Sequence, residues 1–258
     1  MAGIPIGLEL YSVRHELEKD VRGTLEAVAK MGYAGVEFAG PPKNEATYLR
    51  ELLDEFGLVC CGWHCPYNLV QDDQLEATIE RNKILGNKFV IVPGIPGDLR
   101  QTRDDWIKIA DFFNELADKL APHGLVTGYH NHQIEFTELD GEQPWDTLFG
   151  NTRKDVVMQL DTGNARFGGG DVVSVLKKYP GRSQSTHLKP YSVAAGRDNP
   201  RDGFRPLFDD DDTPWEEVFA LCETTGETEW YVVEYECDAH PAMEAVDLCL
   251  RQLRAMGK

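Results

Sequence analysis

Short apolar runs alternate with longer segments of helical periodicity along almost the whole chain, and this alternation is the strongest constraint on its fold. The short runs predict buried strands, and the segments between them predict amphipathic helices. Strands that alternate with helices form parallel sheets with right-handed crossovers. The eight predicted strands span residues 7–13, 35–40, 59–65, 88–94, 125–132, 156–164, 185–191 and 230–236.

The segment VRGTLEAVAKMG shows how the helices are predicted. Its apolar residues Val21, Leu25 and Val28 follow the i, i+4, i+7 spacing of one helical face. Gly32 then stands where a glycine commonly ends a helix. Segments of the same kind span residues 44–57, 72–86, 102–124, 171–181, 213–226 and 240–257.

Eight strands in 258 residues favour a (β/α)8 TIM barrel that forms a single domain over residues 1–258. The main rival is an open doubly wound sheet. Such sheets carry a glycine-rich phosphate loop after a strand, and none of the predicted strands here leads into GxGxxG or GxxxxGK[ST].

The composition disfavours several classes of function. The formal net charge of −18 opposes binding to nucleic acids and to anionic membranes. No apolar stretch reaches the length of a membrane span, and the first residues lack the pattern of a signal peptide. The six cysteines form no CxxC pair, which is typical of free thiols in a reducing compartment. We therefore expect a cytoplasmic protein.

Polar residues collect at the carboxyl ends of the predicted strands, where barrel enzymes place their active sites. Any one of them alone is explained equally well as a solvated strand end. Their presence at the same end of at least four strands favours a functional site. These residues are His64, His130, His132, Asp161, His187, Glu234 and Glu236, with Glu9 and Glu37 inside strands 1 and 2.

The two-residue period of a strand places several of these groups on one face. The pairs are His130 with His132, Gln159 with Asp161, His187 with Lys189, and Glu234 with Glu236. Charged pairs in strands that are buried on both faces need partners. Carboxylates and imidazoles together suit one divalent metal, either Mn²⁺, Mg²⁺, Co²⁺ or Zn²⁺.

Six motifs follow one another in a familiar order: GLELYSVR, AKMGYAGVEFAG, YHNHQIEF, QLDTGNA, THLKPY and VVEYE. With them, nearly the whole chain resembles the xylose isomerase-like TIM barrels, which are sugar phosphate isomerases and epimerases of the AP endonuclease 2 superfamily. The resemblance implies one divalent metal bound by Asp161, His187 and Glu234, with Glu236 as the alternative to Glu234.

Strand 5 departs from the family pattern. Relatives carry a glutamate ligand where this chain has His130, so the resemblance implies a histidine as the fourth metal ligand. The isomerases and epimerases move a proton with two metal-bound glutamates, of which only Glu234 remains here. Glu135 could fold back as the second carboxylate, or His130 or His132 could act as the base.

The predicted chemistry is proton abstraction next to the carbonyl of a small sugar or keto-sugar, through a metal-stabilised enediolate. Glu234 or His132 is the predicted base. Lys189, His64, His132 and Asn164 are the predicted substrate contacts. Return of the proton gives isomerisation or epimerisation, and loss of a β-substituent, as from a 3-keto-glycoside, gives a lyase or dehydratase.

Two other hypotheses remain. A sugar-binding barrel without turnover would share the fold. A DNA-repair nuclease would need three zinc ions and a DNA-binding face, which the negative charge opposes. Assembly into a homo-oligomer is left open by the sequence.

Overall fold

The computed structural model describes residues 3–208 and 210–258 and contains a closed barrel of eight parallel strands. Each strand pairs with the next along the chain, and the last pairs with the first. The predicted (β/α)8 architecture is confirmed. The strands are β1 (Ile6–Glu9), β2 (Gly35–Ala39), β3 (Val59–His64), β4 (Phe89–Val92), β5 (Val126–His130), β6 (Val157–Asp161), β7 (Ser185–Leu188) and β8 (Trp230–Val233).

Each of the seven predicted helical segments contains a helix, and three further short helices were not predicted. The unpredicted helices have only six to eight residues, which is too short to show a sustained amphipathic period. They are α1 (Arg14–Lys19), α6 (Pro144–Asn151) and α7 (Thr162–Phe167). The others are α2 (Val21–Met31), α3 (Ala46–Phe56), α4 (Asp72–Leu85), α5 (Arg103–Leu120), α8 (Val172–Lys178), α9 (Trp215–Thr224) and α10 (Ala242–Ala255).

Most strands end earlier than predicted, because the chain turns as soon as it leaves the barrel. Residues Leu10–Val13 form a 3₁₀ helix instead of extending β1, and Thr162 begins α7 instead of extending β6. His132, Lys189 and Glu234 therefore lie just beyond their strands, at the carboxyl end of the barrel.

The barrel interior divides into an apolar floor and a polar upper half. Phe89, Ile91 and Val157 pack together at the floor, separately from the main core between barrel and helices. Above them, Gln159 continues the inward face of β6. Gly62 of β3 admits Glu37, since a β-carbon at that position would collide with the Glu37 carboxylate. The polar centre is thus built on a packed apolar base.

The cysteines, the lengths of the helices and the longest irregular segment complete the description of the fold. All six cysteines are free, and five of them are buried. Among the described residues, no helix combines the length and apolarity needed to cross a membrane. The described residues of the long segment 190–214 are irregular, apart from a 3₁₀ turn at Pro200–Phe204. Asp209, in its acidic run, lies outside the described residues.

Candidate active site

The structure brings together the four residues that were predicted as metal ligands. One ligand atom from each of His130, Asp161, His187 and Glu234 lies within 4.8 Å of the others. The first three come from the ends of β5, β6 and β7, and Glu234 follows β8 directly. All four are at most 4% exposed. We refer to these four residues as the quartet.

The Asp161 carboxylate shows that the quartet fits a divalent cation. Its Oδ1 accepts a hydrogen bond of 2.6 Å from the Asn164 backbone, whereas its buried Oδ2 has no hydrogen-bond partner. His130 Nε2 and His187 Nδ1 each lie 3.9 Å from Oδ2, and Lys189 Nζ lies 4.0 Å away. All three separations are too long for hydrogen bonds, and those from the two histidines suit atoms that share one ion. Burial raises the pKa of Asp161 to about 8 despite Lys189, so its charge needs a cation.

Gln159 fixes the orientation of two histidines. Its amide nitrogen donates to Glu37 Oε1 at 3.0 Å and to Ser185 Oγ at 2.9 Å. Its Oε1 must then accept from His64 Nε2 at 2.7 Å and from His130 Nδ1 at 3.1 Å. The lone pair of His130 is left on Nε2, the nitrogen that faces Asp161.

Glu37 fixes the orientation of His187 in the same way. His187 Nε2 donates to Glu37 Oε2 at 2.5 Å, which leaves Nδ1 facing Glu234 Oε2 at 2.8 Å. Burial alone would lower the pKa of His187, but the charges of Glu37 and Glu234 outweigh it and raise the pKa to about 10. The surroundings of this imidazole therefore attract positive charge.

Lys189 lies buried among carboxylates at the carboxyl end of β7. Its Nζ donates to Glu234 Oε1 at 2.8 Å and to Glu236 Oε2 at 2.6 Å, and it lies 5.3 Å from the centre of the Phe204 ring. Burial opposes ionisation of Glu234, but Lys189 and His187 hold its pKa well below the usual range. Of the two glutamates after β8, only Glu234 belongs to the quartet, while Glu236 pairs with Lys189.

A cavity of about 1240 Å³ opens above the quartet. The predicted substrate contacts His64, His132, Asn164 and Lys189 all line it, as do Trp63 and Phe167 on its apolar side. His132 is an exposed residue, and the centre of its ring lies 5.4 Å from the centre of the His130 ring. Asn164 also donates its side-chain amide to the backbone of Asn131 at 3.2 Å.

Glu135 does not take the position that was predicted for it. Its Oε1 accepts from the Tyr129 hydroxyl at 2.6 Å, and its Oε2 accepts from the His132 backbone at 2.8 Å. The carboxylate is fully buried and is absent from the described lining of the cavity. It holds the turn after β5, because that turn would otherwise leave a buried backbone donor without a partner. The expectation that Glu135 folds back as a second catalytic carboxylate is corrected accordingly.

Sequence reasoning gave no site role to Gln159 and Asn131. Asn131 joins β5 to β6, since its side chain accepts from the Asp161 backbone at 2.8 Å and donates to it at 3.1 Å. The shared face of Gln159 and Asp161 was the one available signal for Gln159. Nothing in the sequence distinguishes Asn131 from an ordinary turn residue.

We expect Gln159→Leu to weaken divalent-metal binding by about 10–100-fold, the usual effect of losing a residue that orients metal ligands. The leucine removes the acceptor that fixes His130 and the donor that holds Glu37. Calorimetric titration of the metal-stripped protein with Mn²⁺ would measure the change. Thr127→Val, at a buried β5 residue that bonds only to the Val90 carbonyl, is the control. Equal affinities of the two variants would contradict the orienting role.

Comparison with known proteins agrees with this architecture. The profile of the xylose isomerase-like TIM barrel family matches residues 25–255. The chain belongs to this family. An inosose dehydratase of Yersinia enterocolitica is 28% identical over 254 residues, which cover 86% of this chain and 84% of the relative.

Solved structures of other proteins show the same fold. A sugar phosphate isomerase/epimerase from Parabacteroides distasonis superposes with a TM-score of 0.81 at 24% identity, covering 98% of both chains. The IolI protein, solved with a bound zinc atom, gives a TM-score of 0.72 at 17% identity and covers 97% of both chains. At these identities the likeness concerns the fold, and the chemistry must be argued from the site itself.

Proposed function

We propose that this chain is a divalent-metal-dependent sugar isomerase or epimerase that removes a proton next to the carbonyl of a small sugar or keto-sugar. The observation that carries the proposal is the buried Asp161 Oδ2, which lacks a hydrogen-bond partner and lies beneath a cavity lined by polar groups. The zinc atom in the structure of IolI, a protein of the same fold, supports a bound metal here. His130, Asp161, His187 and Glu234 would hold the ion, which would supply a Lewis acid for the carbonyl oxygen.

Glu234 is the proposed base. Its carboxylate stays ionised beside Lys189 and His187, and it lines the cavity, so it can reach a proton on a bound substrate. Lys189 holds one oxygen of Glu234 and presents its ammonium group to the same cavity. It is therefore placed to hydrogen-bond a substrate oxygen while it fixes the base.

His132 is the proposed second proton carrier. His130 replaces the strand 5 glutamate of relatives, and Glu135 is occupied in the turn, so no second carboxylate faces Glu234 from that strand among the described residues. Protein atoms packed around the imidazole lower the pKa of His132 to about 4, although the residue keeps contact with solvent and the charge of Glu234 opposes the shift. A neutral imidazole at the cavity mouth can accept a proton from one carbon or return it to another.

A second candidate is elimination of water or of a glycosidic oxygen from a keto-sugar. The similarity to an inosose dehydratase over most of both chains favours it. In that reaction Glu234 takes the proton next to the carbonyl, the bond to the β-oxygen breaks, and a donor such as Lys189 protonates the leaving oxygen. The same residues therefore serve either reaction. A leaving group on the β-carbon of the substrate decides whether elimination replaces isomerisation or epimerisation.

Proton exchange tests the proposal. The Mn²⁺-loaded protein is expected to wash deuterium from D₂O into ketohexoses or an inosose at the carbon next to the carbonyl, as followed by NMR. Deuterium uptake together with a new isomer of the sugar indicates isomerisation or epimerisation. Formation of an enone indicates elimination. The Asp161→Asn protein is the control and should exchange nothing. Binding of these sugars without exchange would show a binding barrel instead of an enzyme.

A further inference from the structure

Glu9 and His64 face each other below the quartet. Glu9 is 1% exposed, and neither of its carboxylate oxygens has a hydrogen-bond partner in the structure. Its Oε1 lies 3.6 Å from His64 Nδ1. Buried carboxylate oxygens are nearly always paired, so this arrangement requires a partner of positive charge or a proton.

The protonation of His64 indicates which of these two partners, a cation or a proton, Glu9 has. Because Gln159 Oε1 can only accept, His64 Nε2 donates to it at 2.7 Å and Nδ1 carries the lone pair. A lone pair and a carboxylate oxygen thus point at each other across 3.6 Å. This separation is too long for a hydrogen bond. It suits two ligands of one ion with bonds of about 2.0–2.2 Å.

Glu37 supplies a third donor. One ligand atom from each of Glu9, Glu37, His64 and His187 lies within 4.8 Å of the others. We propose that Glu9, Glu37 and His64 form a second divalent-cation site beneath the quartet. His187 stands between the two sites, with Nδ1 toward the quartet and Nε2 toward Glu37.

The charge of the barrel centre supports two ions. Glu9, Glu37, Asp161, Glu234 and Glu236 bring five carboxylates against the single ammonium group of Lys189. With all five ionised and His187 neutral as a ligand, one divalent ion in the quartet leaves two negative charges in a buried region, where unbalanced charge is costly. A second divalent ion makes the cluster neutral. The mixed carboxylate and imidazole donors suit Zn²⁺, Mn²⁺ or Co²⁺.

The second site is open to its ion, because Glu9 and His64 both line the cavity. It goes beyond the proposed function, whose proton transfer uses groups on and above the quartet. An ion here would fix Glu37, and through Glu37 the imidazole of His187. It would therefore set the position of a quartet ligand without touching the substrate.

Metal stoichiometry and anomalous diffraction test the proposal without any activity assay. The full chain is stripped with a chelator, saturated with Zn²⁺, analysed by elemental mass spectrometry, and crystallised. We expect two ions per chain, one at Asp161 and one between Glu9 and His64. Glu9→Gln should bind one ion and keep the peak at Asp161, whereas Asp161→Asn should keep the lower peak. Glu26→Gln, at a surface residue paired with Lys30, is the matched control and should bind two.

The results that would overturn the second site differ from those that would overturn the proposed function. A native chain that saturates at one ion, with its only peak at Asp161, overturns the second site and assigns a proton to Glu9, while the proposed function stands. Binding of no ion overturns the second site and the metal-dependent function together. The native crystals decide the matter even if Glu9→Gln does not fold, which its thermal unfolding would reveal.

Discussion

Replacing Glu234 by glutamine is expected to lower kcat/KM for a keto-sugar by at least about 10³-fold, because this residue combines two roles. Glutamine keeps the volume of the side chain but removes the charge that Lys189 and His187 hold in place. It therefore removes the proposed base and one member of the quartet at once. Initial rates of deuterium exchange into substrate, measured with saturating Mn²⁺, would quantify the loss.

Glu236→Gln is the matched control for this experiment. Glu236 also binds Lys189, but its side chain is one-third exposed and stands outside the quartet. We expect this variant to bind Mn²⁺ as the native chain does and to lose less than about tenfold in kcat/KM. If Glu236→Gln were the inactive variant and Glu234→Gln the active one, the two glutamates would have to exchange roles.

The sequence predicted the barrel because its signals are local. Most strands of the barrel are short apolar runs, and most long helices show an amphipathic period, so element type and order can be predicted without knowledge of the contacts. The carboxyl-end rule for barrel enzymes indicated a set of polar strand-end residues. The family resemblance then selected His130, Asp161, His187 and Glu234 from it, and these four come together in three dimensions. Alternation within each strand was enough to show which side chains share a face.

The parts that were missed depend on contacts between distant strands. Gln159 lies far along the chain from Glu37, and nothing in either sequence segment shows that their side chains meet inside the barrel. Glu135 was expected in the site because it follows the histidines of strand 5 closely. Its actual partner, the Tyr129 hydroxyl, is set by how the chain turns after β5. Local patterns therefore identify the candidate ligands, but not the groups that orient them.

Lys189→Met is expected to destabilise the metal-free protein by about 3–5 kcal/mol, the usual cost of breaking a buried ion pair. Lys189 is 2% exposed, and its removal leaves the carboxylates of Glu234 and Glu236 facing each other with no cation between them. Urea unfolding in the presence of a chelator would measure the free energy. Lys88→Met, at an exposed pair with Glu229, is the control and should cost less than about 1 kcal/mol.

The same variant shows whether a metal and Lys189 neutralise one cluster. An ion that binds only the folded chain stabilises it in proportion to the logarithm of its concentration over Kd. Without the lysine, the acidic cluster attracts the ion more strongly, so saturating Mn²⁺ should recover a larger share of stability in Lys189→Met than in the native chain. The second change in Lys189→Met/Glu236→Gln removes a repelling charge and should recover part of the loss without metal. If Mn²⁺ stabilised the native chain and Lys189→Met by the same amount, the ion and the lysine would be acting at separate places, and the quartet would not be the metal site.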